Sequence, residues 1–234
     1  MLAGAIAAAG CAASLFAGPA AAQDKTPPGW IADPKTGCKV WNASPASNET
    51  IKWSGGCKNG LADGQGKLQW YVNGSPTGEV TEGEFRYGRP NGRVEIRWPD
   101  GRHYEGRVRN NKADGPGKKT QANGDTYEGE FLDDQKHGQG IATWRNGDRY
   151  EGQWRLNAAD GEGIYVWSNG ERYTGSWLAG KPHGQGAFKS TRWMDADDPE
   201  LGEEMSGEWV YGCLNWQGRK VAVLTTWAEC GLSE

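Results

Sequence analysis

Histidine is scarce in this chain. There are 3 in 234 residues, His103, His137 and His183, and none stands in a Ser/His/Asp or Cys/His group. No G-x-S-x-G, H-E-x-x-H or P-loop pattern occurs. An enzyme is therefore not expected, nor a cofactor. Basic clusters are equally scarce. The densest is Lys118-Lys119 and the formal net charge is −4, so neither a nucleic-acid footprint nor an anionic-lipid patch is visible. The acidic excess comes from one run holding Asp195, Asp197, Asp198, Glu200, Glu203 and Glu204. Those carboxylates are of the kind that bind Ca²⁺, but EF-hand spacing is lacking and a solvated loop is expected. Beyond residue 17 no apolar run is long enough to cross a bilayer as a helix.

The first 22 residues differ from the rest. They carry no charge, are apolar over most of residues 2–17, and end in Ala20-Ala21-Ala22. This reads as a secretory signal peptide of alanine-rich bacterial style, which predicts a periplasmic or secreted protein. Ala8-Ala9-Gly10-Cys11 loosely resembles a lipoprotein box, and membrane contact is expected only if Cys11 is lipidated. Once the leader leaves, Cys38, Cys57, Cys213 and Cys230 remain. An even number in an exported chain points to disulfides. The local pairing Cys38–Cys57 and Cys213–Cys230 would staple the two ends; four free buried thiols are the alternative.

Glycine and aromatic residues, by contrast, are plentiful and periodic. Tyr104, Tyr127, Tyr150 and Tyr173 return every 23 residues, each followed by glycine two residues on, at Gly106, Gly129, Gly152 and Gly175. With the tyrosine as position 0, the series extends back to Thr81 and Trp53 and on to Met205. Position +4 holds Phe85, Val108, Phe131, Trp154, Trp177 and Trp209, and Cys57 in the first copy. A Gly-x-Gly opens a second strand at +11 and +13, broken once by Val94. Asp100-Gly101, Asn123-Gly124, Asn146-Gly147 and Asn169-Gly170 then read as two-residue type I′ hairpin turns. Such a period means one hairpin stacked on copies of itself.

The pattern Y-x-G-x-W-x-x-G-x-x-H-G-x-G resembles the MORN repeat (membrane occupation and recognition nexus). Tyr173, Gly175, Trp177, Gly180, His183, Gly184 and Gly186 carry the fullest match. The resemblance implies an all-β fold: a single-layer, twisted, antiparallel meander of about six or seven hairpin repeats with open ends. It also implies a non-catalytic binding or scaffolding role, without naming the partner.

The expected layout is a signal peptide at 1–22, a cap or linker at 23–52, and a repeat sheet at 53–212 with an acidic insert at 190–204. A second cap, apolar and rich in departures from the repeat, follows at 213–234. His137 and His183 fall at +10, where other copies have Asp or Asn, and read as turn formers. Two repeats apart, they would be about 20 Å from each other, too far to share a metal ion.

The candidate docking surface is a tryptophan ladder. Position +17 holds Trp70, Trp98, Trp144 and Trp167. Across a two-residue turn it would face +22, pairing Trp98 with His103, Trp144 with Arg149 and Trp167 with Arg172. Cation–π contact would support each hairpin. That face would carry the partner, with the Tyr127, Tyr150 and Tyr173 ladder on the opposite side as a second set of candidate partner-binding residues. A protein partner is the first expectation and a glycan such as peptidoglycan the alternative, stacking on the tryptophans. Peripheral membrane association comes third. Open sheet ends leave an oligomer possible.

Overall fold

A computed structural model describes residues 29–191, 204–226 and 228–230. The signal peptide, Cys11 and nearly all of the acidic insert lie outside the described residues.

Among the described residues thirteen strands form one antiparallel sheet, paired in chain order except at one edge, where two short strands of another sheet are skipped. It runs from β3 (Glu49–Trp53) at one edge to β17 (Glu204–Trp209) at the other. Before β3 come β1 (Gly29–Ala32) and β2 (Lys39–Asn42); after it, the short β4 (Cys57–Lys58) and β5 (Leu61–Ala62). Next in the sheet are β6 (Gly64–Val72), β7 (Ser75–Arg86) and β8 (Arg89–Arg97). The regular repeats are β9 (His103–Arg109) with β10 (Lys112–Thr120), and β11 (Thr126–Leu132) with β12 (Gln135–Thr143). They continue as β13 (Arg149–Arg155) with β14 (Ala158–Val166), and β15 (Arg172–Leu178) with β16 (Lys181–Lys189).

The first repeat copy is split. Its β3 joins the main sheet, so that sheet starts at Glu49 and not at 53. Its β4 and β5 join β1 and β2 in a small four-stranded sheet. Cys57, standing where other copies have an aromatic, is disulfide-bonded to Cys38. Asp33 holds the same junction: its buried carboxylate accepts the amides of Trp53 at 2.8 Å and Lys35 at 2.7 Å. At the far end β18 (Cys213–Trp216) and β19 (Arg219–Ala222) form a hairpin that places Leu214 and Val223 in the main core. The Cys213–Cys230 disulfide closes that segment. The local pairing at both ends is thus the one formed, and such bonds belong to an oxidising compartment.

One face of the sheet is the core. Tyr104, Phe131, Tyr127, Trp154, Tyr150, Trp177, Tyr173 and Trp209 form a continuous chain of rings. Centroids are 4.9 to 5.6 Å apart and every pair is edge-on, the geometry the ring quadrupole favours. The glycines make this possible. A Cβ on Gly140 would meet the Tyr127 ring at 2.6 Å, and one on Gly152 would meet the Gly163 Cα at 2.5 Å. Each tyrosine lies across the two glycine positions and donates its hydroxyl to the backbone carbonyl at +3: Arg107, Glu130, Gln153 and Ser176, at 2.7 to 3.0 Å. That carbonyl sits where the register shifts after +2, so the hydroxyl satisfies a group the ladder leaves open. Trp154, Trp177 and Trp209 donate Nε1 to Gly140, Gly163 and Gly186 of the preceding repeat at 3.1 Å.

Candidate functional site

Local turn geometry decides what the +17 tryptophans face. Trp144 donates its amide to the Asp148 carbonyl at 2.9 Å, and Gly147 donates back to the Trp144 carbonyl at 2.9 Å. The turn therefore has three residues, Arg145-Asn146-Gly147, with only the glycine at positive φ (+94°). This is a type I turn closed by a left-handed glycine. Trp98 opposes Arg102 and Trp167 opposes Glu171 in the same way. The two-residue type I′ turns lie at the other end of each repeat, at Asn110-Asn111, Asp133-Asp134 and Leu156-Asn157, where both residues have positive φ.

The extra turn residue corrects the expected pairing. The register is Thr143 with Arg149 and Val166 with Arg172, and Arg97 with His103. A one-residue slip moves a side chain to the other face. Trp144 and Trp167 therefore stand on the tyrosine face, where Tyr165 packs at 5.4 Å from Trp144 and 4.5 Å from Trp167. Phe188 extends that row, 5.6 Å from Trp167. Arg149 and Arg172 point away, one paired with Glu151 at 2.7 Å and the other bonded to the Thr174 hydroxyl at 3.0 Å. Trp98 carries a cation, but it is Arg102, 5.0 Å from the ring, and not His103. His103 meets Glu95 at 2.8 Å.

Tyr127, Tyr150 and Tyr173 are also not surface residues: their exposures are 3%, 1% and 0%. Burial raises all three phenols, Tyr127 to about 12. They build the face and present nothing to a partner. Trp98, Trp144 and Trp167 are half-buried and do present an edge. His137 and His183 lie inside β12 and β16 and not in turns.

The opposite face is polar. Arg93–Glu105, Lys118–Glu128 and Arg149–Glu151 span it at 2.8, 3.2 and 2.7 Å. All are well solvated, so each contributes little to stability. The aromatic face carries cations of its own, Arg102 over Trp98 and another that the sequence did not flag. Lys136 is half-buried, with Nζ 4.4 Å from the Trp154 ring centroid and 5.1 Å from that of Tyr127. Burial lowers its pKa.

Among the described residues no cluster of three or more His, Cys, Asp or Glu could hold a metal ion, and no helix is long and apolar enough to cross a membrane.

The architecture defines a class: a hairpin-repeat protein in which each 23-residue unit completes its core only against its neighbours. The MORN repeat model matches residues 53–75, 82–101, 104–126, 127–149, 150–172 and 173–193. These segments cover more than half of the 234 residues, and the chain belongs to the MORN repeat family. Repeats of this family generally serve as protein- or membrane-binding modules. No curated protein matches the chain.

Proposed function

We propose that this chain is a non-catalytic docking module of the bacterial periplasm, and that its aromatic face takes a protein partner. The observation that carries this is the row Trp144–Tyr165–Trp167–Phe188, whose tryptophans keep an exposed edge above a fixed ring core. Rigid aromatic anchors supply contact area at low entropic cost, which is why they dominate binding hot spots. The charged lattice on the other face offers no comparable anchor. An oxidising location follows from the two disulfides.

The test is affinity purification from the native envelope with Trp144→Ala and Trp167→Ala, alongside Glu128→Gln on the opposite face. Loss of a co-purifying protein in the tryptophan variants alone supports the reading. Loss with Glu128→Gln alone would move the interface to the other face. Retention on insoluble peptidoglycan that needs both tryptophans would favour a glycan instead.

A further inference from the structure

The ring chain is interrupted near its N-terminal end, and space opens there. Position 0 of the second copy is Thr81 and not an aromatic; position +4 of the third is Val108. Beside them lies a recess of about 470 Å³ on the aromatic face, walled by Trp41, Trp70 and Trp98. The β1–β2 sheet, the Glu49 edge strand and the second repeat all contribute to it. Its volume is within the range of small-molecule sites.

Asp134, whose carboxylate accepts the Ala113 amide at 2.7 Å, lines this recess, and so do two further carboxylates, Glu49 and Glu79. Neither is in an ion pair among the described residues. Glu49 accepts a hydrogen bond from the Asn42 side chain at 2.7 Å, and the Trp98 side chain acts on Glu79 to favour its charged form. Burial raises the pKa of both, and Glu49 raises that of Glu79 further. Arg102 acts on Glu79 from outside, but its Nε is held by Asp100 at 2.7 Å. Arg89 lies over Trp41 at 4.7 Å, and Lys119 and Asp134 line the recess where Tyr104 and Val108 meet it.

We infer that this recess binds an ammonium group, with Glu49 and Glu79 as counter-charges and the Trp70 and Trp98 rings as its walls. A cation is attracted by both carboxylates and relieves their mutual repulsion, which a neutral hydroxyl ligand would leave in place. The rings add cation–π attraction, strongest at tryptophan. The same face already shows this chemistry in Lys136, whose ammonium rests between Trp154 and Tyr127. The ammonium is carried either by a free diamine or by a lysine side chain of a partner, and the recess accepts the same group from both. The site stands apart from the Trp144–Trp167 row and does not depend on that row docking a protein.

The test titrates cadaverine, N-acetyl-lysine methylamide and neutral 1-pentanol into the folded, oxidised chain. The Trp98 indole N–H resonance and calorimetry report binding. Saturable binding of either amine is expected, weaker by about tenfold or more in Glu49→Gln and in Glu79→Gln, as for loss of one charge-assisted contact. Glu128→Gln, on the opposite face, should bind as the native chain does. Circular dichroism and thermal melting confirm that each variant folds. Preference for cadaverine marks a free amine as the source; preference for the lysine amide marks a partner side chain. The inference is overturned if neither amine saturates, if pentanol binds as well, or if both glutamine variants bind undiminished.

Discussion

The hydroxyl of Tyr165 donates to the carboxylate of Asp148 at 2.8 Å, from one repeat to the turn of the one before. The same carboxylate accepts the Ser168 amide and the Asn146 side-chain amide, each at 2.9 Å. Asp148 is thus a clamp between successive turns, and Asp125 repeats it by accepting the Arg145 amide at 2.9 Å. Burial opposes its charge, but the Ser168, Tyr165 and Asn146 hydrogen bonds outweigh that and hold its pKa below the usual carboxylate value.

Asp148→Ala should therefore cost about 2–3 kcal/mol, because a buried tyrosine hydroxyl and an amide lose their acceptor together. The sign of the pH dependence follows from the lowered value. The stabilisation is complete above about pH 4 and disappears as pH falls through the folded-state pKa. Urea denaturation of the native chain and Asp148→Ala at pH 7 and pH 3 should show the difference between them shrink. A constant difference would remove the charge from the account.

The glycine-over-tyrosine contact predicts a graded set of losses. A Cβ on Gly152 would meet the Gly163 backbone at 2.5 Å and the Tyr150 hydroxyl at 2.8 Å. Backbone cannot swing aside, so Gly152→Ala should cost more than about 2 kcal/mol. Tyr150→Phe removes only the hydrogen bond to the Gln153 carbonyl and should cost about 1 kcal/mol. Arg149→Ala on the solvated face should stay within about 0.5 kcal/mol. Chemical denaturation of the three variants checks the order.

The period of 23, the strand pairs and the tyrosine face were legible because glycine and aromatic residues alternate with the pleat. The sidedness of Trp144 was not. It turned on whether Asn146-Gly147 forms the whole turn or the last two residues of three, and both forms use that dipeptide. The recurrent acid at +21, Asp125, Asp148 and Glu171, was the available signal. An acid there closes the longer turn, with Asn146 bonded to Asp148 across it at 2.9 Å. The +15 residues Tyr165 and Phe188 share the parity of +17 and carried the same message. The Glu49–Glu79 recess could not be read, since the β1–β2 cap that walls it has no repeat pattern.

Each disulfide should stabilise its own end and little else. Cys38–Cys57 closes a separation of 19 residues and Cys213–Cys230 one of 17, worth about 3 kcal/mol each from chain entropy. Repeats contact only their neighbours, so the loss should not travel. In Cys38→Ser/Cys57→Ser, amide exchange should quicken at Lys39 and Trp53, which bond to Gly60 and Asp33. Exchange at Gly163, in β14 and many strands away from that cap, should keep its native rate. Global loss of protection would mean that the cap nucleates the whole ribbon.

The carboxyl of Glu79 links stability to the proposed ammonium site. Burial is the largest influence on it and raises its pKa, with the Glu49 charge adding and Arg102 and Trp98 opposing. A raised folded-state value means that the fold prefers the protonated form. The Glu79 contribution to stability is then fully present below about pH 4 and is lost as pH rises through the folded-state value. Glu79→Gln should therefore melt higher than the native chain at pH 7, and the gain should vanish at pH 3.5. The same substitution should lose amine binding, because the charge that costs stability is the one that holds the cation. Melting curves with and without cadaverine at pH 7 decide it. The amine should raise the melting temperature of the native chain and leave that of Glu79→Gln nearly unchanged; equal shifts in both would show that the amine binds elsewhere.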